Sequence, residues 1–206
     1  VEIDETEMAR NKSIRVYLSG FDTGQSDKDE KDKLKSYALK LGMVVCAPTD
    51  FNWTHFVAKV YRNTDKSIIS LACGRWILDV RWLEDSFLAK NRLGEEKYEY
   101  RGSLTGAKQL ADPRKCRRAI AKLGRSFFQD MNILYYSKQT VWMTVLINSG
   151  AKVDRFKPDP AKLMSISTIM KYNLVYTTPS DWAMLPSATQ ALLDKSSVVV
   201  CDYFVE

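Results

Sequence analysis

The sequence predicts an α/β protein built from two copies of one unit. Three observations carry this reading. Short apolar runs suited to strands alternate with amphipathic runs suited to helices. The order β-α-β-β-α-β-α, read over residues 14–90, begins again near residue 131. The last run, Val199-Val200-Cys201-Asp202-Tyr203-Phe204, parallels Leu78-Asp79-Val80-Arg81-Trp82-Leu83. Self-similarity at a period of about 90 residues marks a repeated unit. Strands alternating with helices imply a mostly parallel sheet covered on both faces.

Each element has a local reason. Residues 1–12 are polar and are expected to form a tail. Residues 14–18 alternate around Arg15 and Tyr17 and run into Ser19-Gly20, a strand ending in a turn. Over 27–41, Leu34, Tyr37, Ala38 and Leu41 recur at helical spacing, with Gly42 as the stop. Residues 43–47 read as a buried strand closed by Pro48, and 53–60 as another. Over 64–73 a short helix presents Ile68, Ile69, Leu71 and Ala72 as its apolar face, capped by Asn63 or Thr64. Residues 76–80 form a strand, and 81–90 a helix carrying Trp82, Leu83 and Phe87. In the second copy, strands are expected at 131–136, 151–156, 173–177 and 198–201. Helices are expected at 140–149, ended by Gly150, and at 187–195.

Composition narrows the class. At 206 residues, with 45% hydrophobic and 27% charged side chains, the chain has enough apolar material for a core and is not of the disordered type. No apolar run approaches the roughly 18 residues of a membrane helix, and no membrane partner is expected. The acidic start is unlike a signal peptide, and the chain is expected to be a piece of a longer protein. None of the four cysteines (Cys46, Cys73, Cys116, Cys201) forms a CxxC pair, so buried free thiols are expected. With one histidine, His55, zinc sites and histidine-based triads have few candidate residues, and His55 reads as a structural hydrogen-bonding residue. There is no GxGxxG and no P-loop; the charged stretch 27–33 alternates acids with lysines, unlike a metal loop. No catalytic constellation emerges, and no cofactor is expected. The five tryptophans read as core and interface residues.

The net charge of +6 is localised. Residues 101–125 hold Arg101, Lys108, Arg114, Lys115, Arg117, Arg118, Lys122 and Arg125 against the single acid Asp112, so the rest of the chain is about neutral. All of this segment but its first residue, 102–125, is expected to be a solvated, partly helical linker between the repeats. DNA contact through Arg114, Lys115, Arg117 and Arg118 is the secondary possibility.

At this point the chain resembles a known family, the BRCT domain, in tandem. The resemblance rests on Ser19-Gly20, Leu41-Gly42, Thr54-His55-Phe56-Val57, and Leu71-Ala72-Cys73-Gly74-Arg75-Trp76-Ile77-Leu78 leading to Trp82. It covers residues 13–101 and about 126–206. The second copy keeps Gly150 and sets Tyr203 where Trp82 stands, with its final helix truncated or missing. The resemblance implies two small four-stranded sheets flanked by helices and packed head to tail in a monomeric module. It further implies a nuclear DNA-damage mediator that binds a phosphoserine peptide, such as a phosphorylated C-terminal histone tail.

The chemistry such a ligand needs is donors aimed at one point beside a positive charge. Ser19 offers a hydroxyl and Gly20 an unobstructed N–H at the carboxyl end of a strand, where ligands of open α/β sheets sit. Lys66 lies in the first turn of a helix, whose dipole favours anions. Singly these groups are a turn and a solvated lysine; the sequence does not show them converging. Phosphoserine-binding BRCT modules use a Ser or Thr followed by Gly, plus the Lys of a Thr-x-Lys motif. The resemblance thus implies phosphate contacts from Ser19, Gly20 and Lys66, supported by Thr64. Family members often carry Arg immediately before that motif; here Asn63 stands there, preceded by Arg62. Asn63 bonds a backbone but forms no charged fork on a carboxylate. Ile68, Ser137, Lys138 and Gln139 are the remaining candidates for peptide selectivity, in a cleft between repeats.

Overall fold

The computed structural model describes residues 3–101, 104–105, 108–109, 111–156, 166–196 and 198–201. The chain divides into two units, Val1–Arg125 and Ser126–Glu206.

In the first unit, β1 (Arg15–Ser19) is followed by α2 (Gln25–Lys40), β2 (Val44–Val45), β3 (His55–Ala58), α3 (Asp65–Ala72), β4 (Trp76–Asp79) and α4 (Arg81–Leu88), with α1 (Glu5–Asn11) preceding them all. The sheet order is β2-β1-β3-β4, all parallel, as the alternating pattern predicts. Successive side chains of β1 point to opposite faces. Val16 and Leu18 enter a core with Leu34, Ala38 and Leu41 of α2 and with Trp82 and Leu83 of α4. On the other face Tyr17 meets Trp53 and Phe56, and the Trp53 indole donates to Ser70 on α3 at 2.8 Å. The buried side of α3 is therefore Ser67, Ile69 and Ser70, with Ile68 and Leu71 only half-buried, because the aromatic floor offers a donor that Ser70 accepts. Trp82 is buried, donates to the Leu93 carbonyl at 2.8 Å and stacks on His55 with centroids 5.0 Å apart. His55 is a structural residue, bonded to Thr54 at 2.8 Å and Glu95 at 3.3 Å.

Two expectations for the first unit are corrected. Within the expected polar tail, Glu5–Asn11 form a helix docked on the unit: Asp4 caps it, Asn11 is buried, and its amide donates to the Leu41 carbonyl at 2.9 Å. The stretch 102–125, expected as a solvated, partly helical connector, does carry a helix, but that helix is docked on the first unit. A short hairpin, β5 (Leu104–Thr105) with β6 (Lys108–Gln109), precedes α5 (Pro113–Leu123), which packs on α3 and β4. Asp112 caps α5 and Pro113 opens it. Arg117 grips Glu99 through Nε and Nη2 at 2.7 and 2.9 Å, and Arg114 Nε joins at 3.2 Å. The Arg117 guanidinium also lies 3.5 Å over the Trp76 ring.

The second unit repeats the plan: β7 (Asn132–Tyr136), α6 (Val141–Asn148), β8 (Lys152–Arg155), α7 (Ile166–Ile169), β9 (Leu174–Thr177), α8 (Pro179–Ala183), α9 (Ser187–Ser196) and β10 (Val198–Cys201). Its parallel sheet has the order β10-β9-β7-β8. Ile133 and Tyr135 pack towards Leu146 of α6, while Leu134 faces Ile169, Leu185 and Leu193.

The two sheets share one register. Val44 pairs with Arg15 two residues after Gly42, and Lys152 pairs with Asn132 two residues after Gly150. Thr54 accepts the Arg15 amide through its side chain, and Asn173 accepts the Asn132 amide in the same way. Along these rungs Leu78 matches Val200, one residue from the match read in the sequence. Tyr203 and the expected truncated helix lie outside the described residues. Of the thiols, Cys46 is buried and Cys73 and Cys116 are half-buried, and none of these three is in a disulfide; the side chain of Cys201 lies outside the described residues.

Candidate anion-binding site

The site begins where β1 ends. The Ser19 carbonyl accepts the Lys59 amide at 3.1 Å, which holds the next residue against the chain leaving β3. Gly20 has φ +75, and a Cβ there would stand 2.4 Å from the Val60 carbonyl oxygen and 2.6 Å from its nitrogen. Only glycine fits that approach. Lys59 itself is committed to Asp27 and Glu30 at 2.8 and 2.6 Å; these bonds, Asp27 first, hold its ammonium well above the usual lysine range.

From Val60 the chain runs to the head of α3. Thr64 caps the helix: its hydroxyl accepts the Ser67 amide at 3.2 Å, while Ser67 Oγ accepts the Thr64 amide at 2.8 Å. This reciprocal box fixes the first turn and hence Lys66. The Lys66 side chain is only 18% exposed. Its ammonium lies 5.6 Å from the centroids of both Tyr17 and Phe51 and 3.3 Å from Asp65. Burial, then the Asp65 carboxylate, pushes the Tyr17 phenol up, so the ring beneath the cation stays neutral. Arg75 braces the floor, donating to the Phe51 carbonyl at 2.7 Å and stacking on Trp53 at 4.9 Å.

The four expected phosphate residues therefore sit on linked pieces of one unit. Gly20 touches Val60, four residues before Thr64, and Lys66 stands over Tyr17, which shares a strand face with Ser19. The sequence does not mark Tyr17 or Phe51, the two rings under the cation, as site residues; the i, i+2 relation of Tyr17 to Ser19 is the available signal. Of the selectivity candidates in this unit, Arg62 is exposed and 3.5 Å from Asp22, Asn63 is exposed, and Ile68 is half-buried.

The corresponding place in the second unit is built differently. The shared register sets Tyr136-Ser137 against Ser19-Gly20, and Thr178 caps α8 as Thr64 caps α3. Ser180 then stands where Lys66 does, and the buried acid Asp181 follows. Asp181 accepts from the Thr178 hydroxyl at 2.7 Å, from the Lys138 amide at 3.2 Å and from Ser137. Burial pushes this carboxyl up, but the Thr178, Ser137 and Lys138 hydrogen bonds outweigh it and hold it below the usual aspartate value. Ser137 is buried and committed to Asp181, so its expected role as a peptide contact gives way to a structural one. Lys138 and Gln139 remain exposed, the Lys138 ammonium 3.7 Å from Met184 Sδ and the Gln139 carbonyl accepting the Tyr135 hydroxyl at 2.6 Å.

No family model matches the chain. A BRCT domain-containing protein of Arabidopsis thaliana is 33% identical over 103 residues, 47% of this chain, and the match spans 8% of that protein's length. Among solved structures, the BRCT5-BRCT6 domains of S. pombe Brc1 superpose with a TM-score of 0.61 at 14% identity, covering 93% of this chain and 89% of that one. Residues 820–1070 of Rtt107p give 0.52 at 14% identity, covering 95% and 87%. Each unit has the BRCT fold, and the chain carries two such folds in tandem.

Proposed function

We propose that this chain is a non-catalytic module that recognises phosphoserine in a partner protein through its first repeat. The observation that carries the reading is Lys66: a shielded ammonium at the head of a capped helix, held over the Tyr17 and Phe51 rings, in the repeat that also offers Ser19 and Gly20. The second repeat has Ser180 at the matching position with the buried Asp181 carboxylate beside it, so the counterpart of Lys66 carries no charge there. A phosphoserine brings about −1.5 to −2 charges and three acceptor oxygens. The Ser19 hydroxyl, the Gly20 amide and the Lys66 ammonium are donors of the right kind, with Thr64 keeping the turn in place. Arg62, Asn63 and Ile68 are the side chains of this repeat offered to the residues that follow the phosphoserine.

The parent protein, on this reading, is a nuclear scaffold of the DNA-damage response, and the ligand a phosphoserine motif such as a phosphorylated C-terminal histone tail. The fold shared with Brc1 and Rtt107p supports the module; the ligand rests on the site. An oriented peptide library with fixed phosphoserine, bound to the purified chain, tests it. Enrichment over the unphosphorylated library, with a preference three residues on, supports the assignment. Equal retention of both libraries refutes it.

A further inference from the structure

The basic segment has two faces, and only one is used by the fold. On α5, Ile120 packs into the backbone beside Gly74, its Cγ2 2.6 Å from where a Cβ would stand, and at one edge Arg114 and Arg117 clamp Glu99. At about 100° per residue, Lys115, Arg118 and Lys122 fall within about 60° of arc, roughly opposite Ile120. All three are exposed, and among the described residues no carboxylate pairs with them. Their span of seven residues is about 10.5 Å along a helix whose orientation the Glu99 clamp fixes. Two of the four residues expected to touch DNA, Arg114 and Arg117, are thus held by the fold, and Lys122 joins Lys115 and Arg118 on the free face.

We propose that Lys115, Arg118 and Lys122 form a second binding surface, for the phosphate backbone of duplex DNA, independent of the phosphoserine site. On the wheel the stripe is flanked on one side by the small, exposed Ala119 and on the other by the clamped Arg114, and no aromatic side chain stands on it. Protein interfaces are depleted in lysine and rely on large anchors, which this face lacks. Single strands are held by stacking rings, also lacking here. A rigid row of cations suits the dense, regular charge of a duplex, read without regard to sequence.

The test is fluorescence anisotropy of a labelled 20-base-pair DNA duplex with the 206-residue chain across a salt series. Three phosphate contacts contribute a slope of about −2.7 in log K against log salt, a loss of about 40-fold between 50 and 200 mM. The K115Q/R118Q/K122Q variant is expected to remove that slope with an unchanged melting temperature, since glutamine is a good helix former. The single R118Q variant removes about a third of it, and K66M leaves DNA binding as it was. The inference is overturned if the triple variant keeps the parent's slope and affinity. It is equally overturned if polyglutamate displaces the duplex as well as unlabelled DNA does.

Discussion

Replacing Glu99 by glutamine removes the charge on which α5 is anchored while keeping the side chain's shape. The carboxylate is fully buried and bonds two guanidinium groups that retain 24% and 20% exposure. Breaking a buried pair from one side costs about 3–5 kcal/mol, because the partner charge is left behind. Here the arginines keep some contact with water, so the lower figure, about 3 kcal/mol, applies. Glutamine also turns one acceptor into a donor pointed at Arg117, which adds to the loss. For a chain of this size, about 2–4 °C per kcal/mol gives a drop of about 6–12 °C in the melting temperature. Tryptophan fluorescence is a suitable readout, since Trp76 lies under the Arg117 guanidinium. Arg117→Met in the E99Q background should cost much less than in the parent, because the two groups form one unit. A melting shift under about 2 °C for E99Q would show that α5 is held by packing alone.

Other consequences are equally direct. Asp65 competes for Lys66 at 3.3 Å in a half-buried pair, for which the upper surface figure of about 1 kcal/mol sets the scale; D65N should raise phosphopeptide affinity about fivefold in calorimetric titration. Gly20→Ala forces a Cβ onto the Val60 backbone at φ +75, a strain of at least about 1–2 kcal/mol; the urea midpoint should fall and phosphopeptide binding with it. Asp181 is held below its unfolded value, so its contribution is present above about pH 3.9 and fades as pH falls through the lowered folded value. The stability gap between parent and D181N, from urea titrations at pH 7 down to pH 3, should close accordingly.

Much of the fold was legible because periodicity is local. The apolar spacing of α2 and the strand-turn at Ser19-Gly20 needed no distant contact to be seen. What escaped depended on tertiary structure or on polar signals. Helix α1 has a cap at Asp4 and acids in its first turn, but no apolar stripe, so its polarity read as a tail. Helix α8 is announced by Thr178-Pro179 with Asp181 three residues after the cap, a capping signal without a hydrophobic run behind it. The one-residue misalignment of the last strands arose because buried parallel strands are continuously apolar, so no alternation marks which side chain faces where. At the site, Ser19, Gly20, Thr64 and Lys66 were readable from adjacent residues. Tyr17 and Phe51 were not, because only folding brings residues 17, 51 and 66 together. The pairing of Glu99 with Arg114 and Arg117 likewise joins a loop to a helix that the sequence reads as merely basic.

Calorimetric titration of the parent chain and its K66M variant, each with one serine peptide in phosphorylated and unphosphorylated form, bears most directly on the role of the first repeat. Loss of one charged hydrogen bond costs about 1.5–3 kcal/mol. The parent should therefore prefer the phosphorylated peptide, and K66M should bind it at least about tenfold more weakly while melting as the parent does. An unchanged affinity in K66M, or no preference for phosphate in the parent, contradicts the assignment.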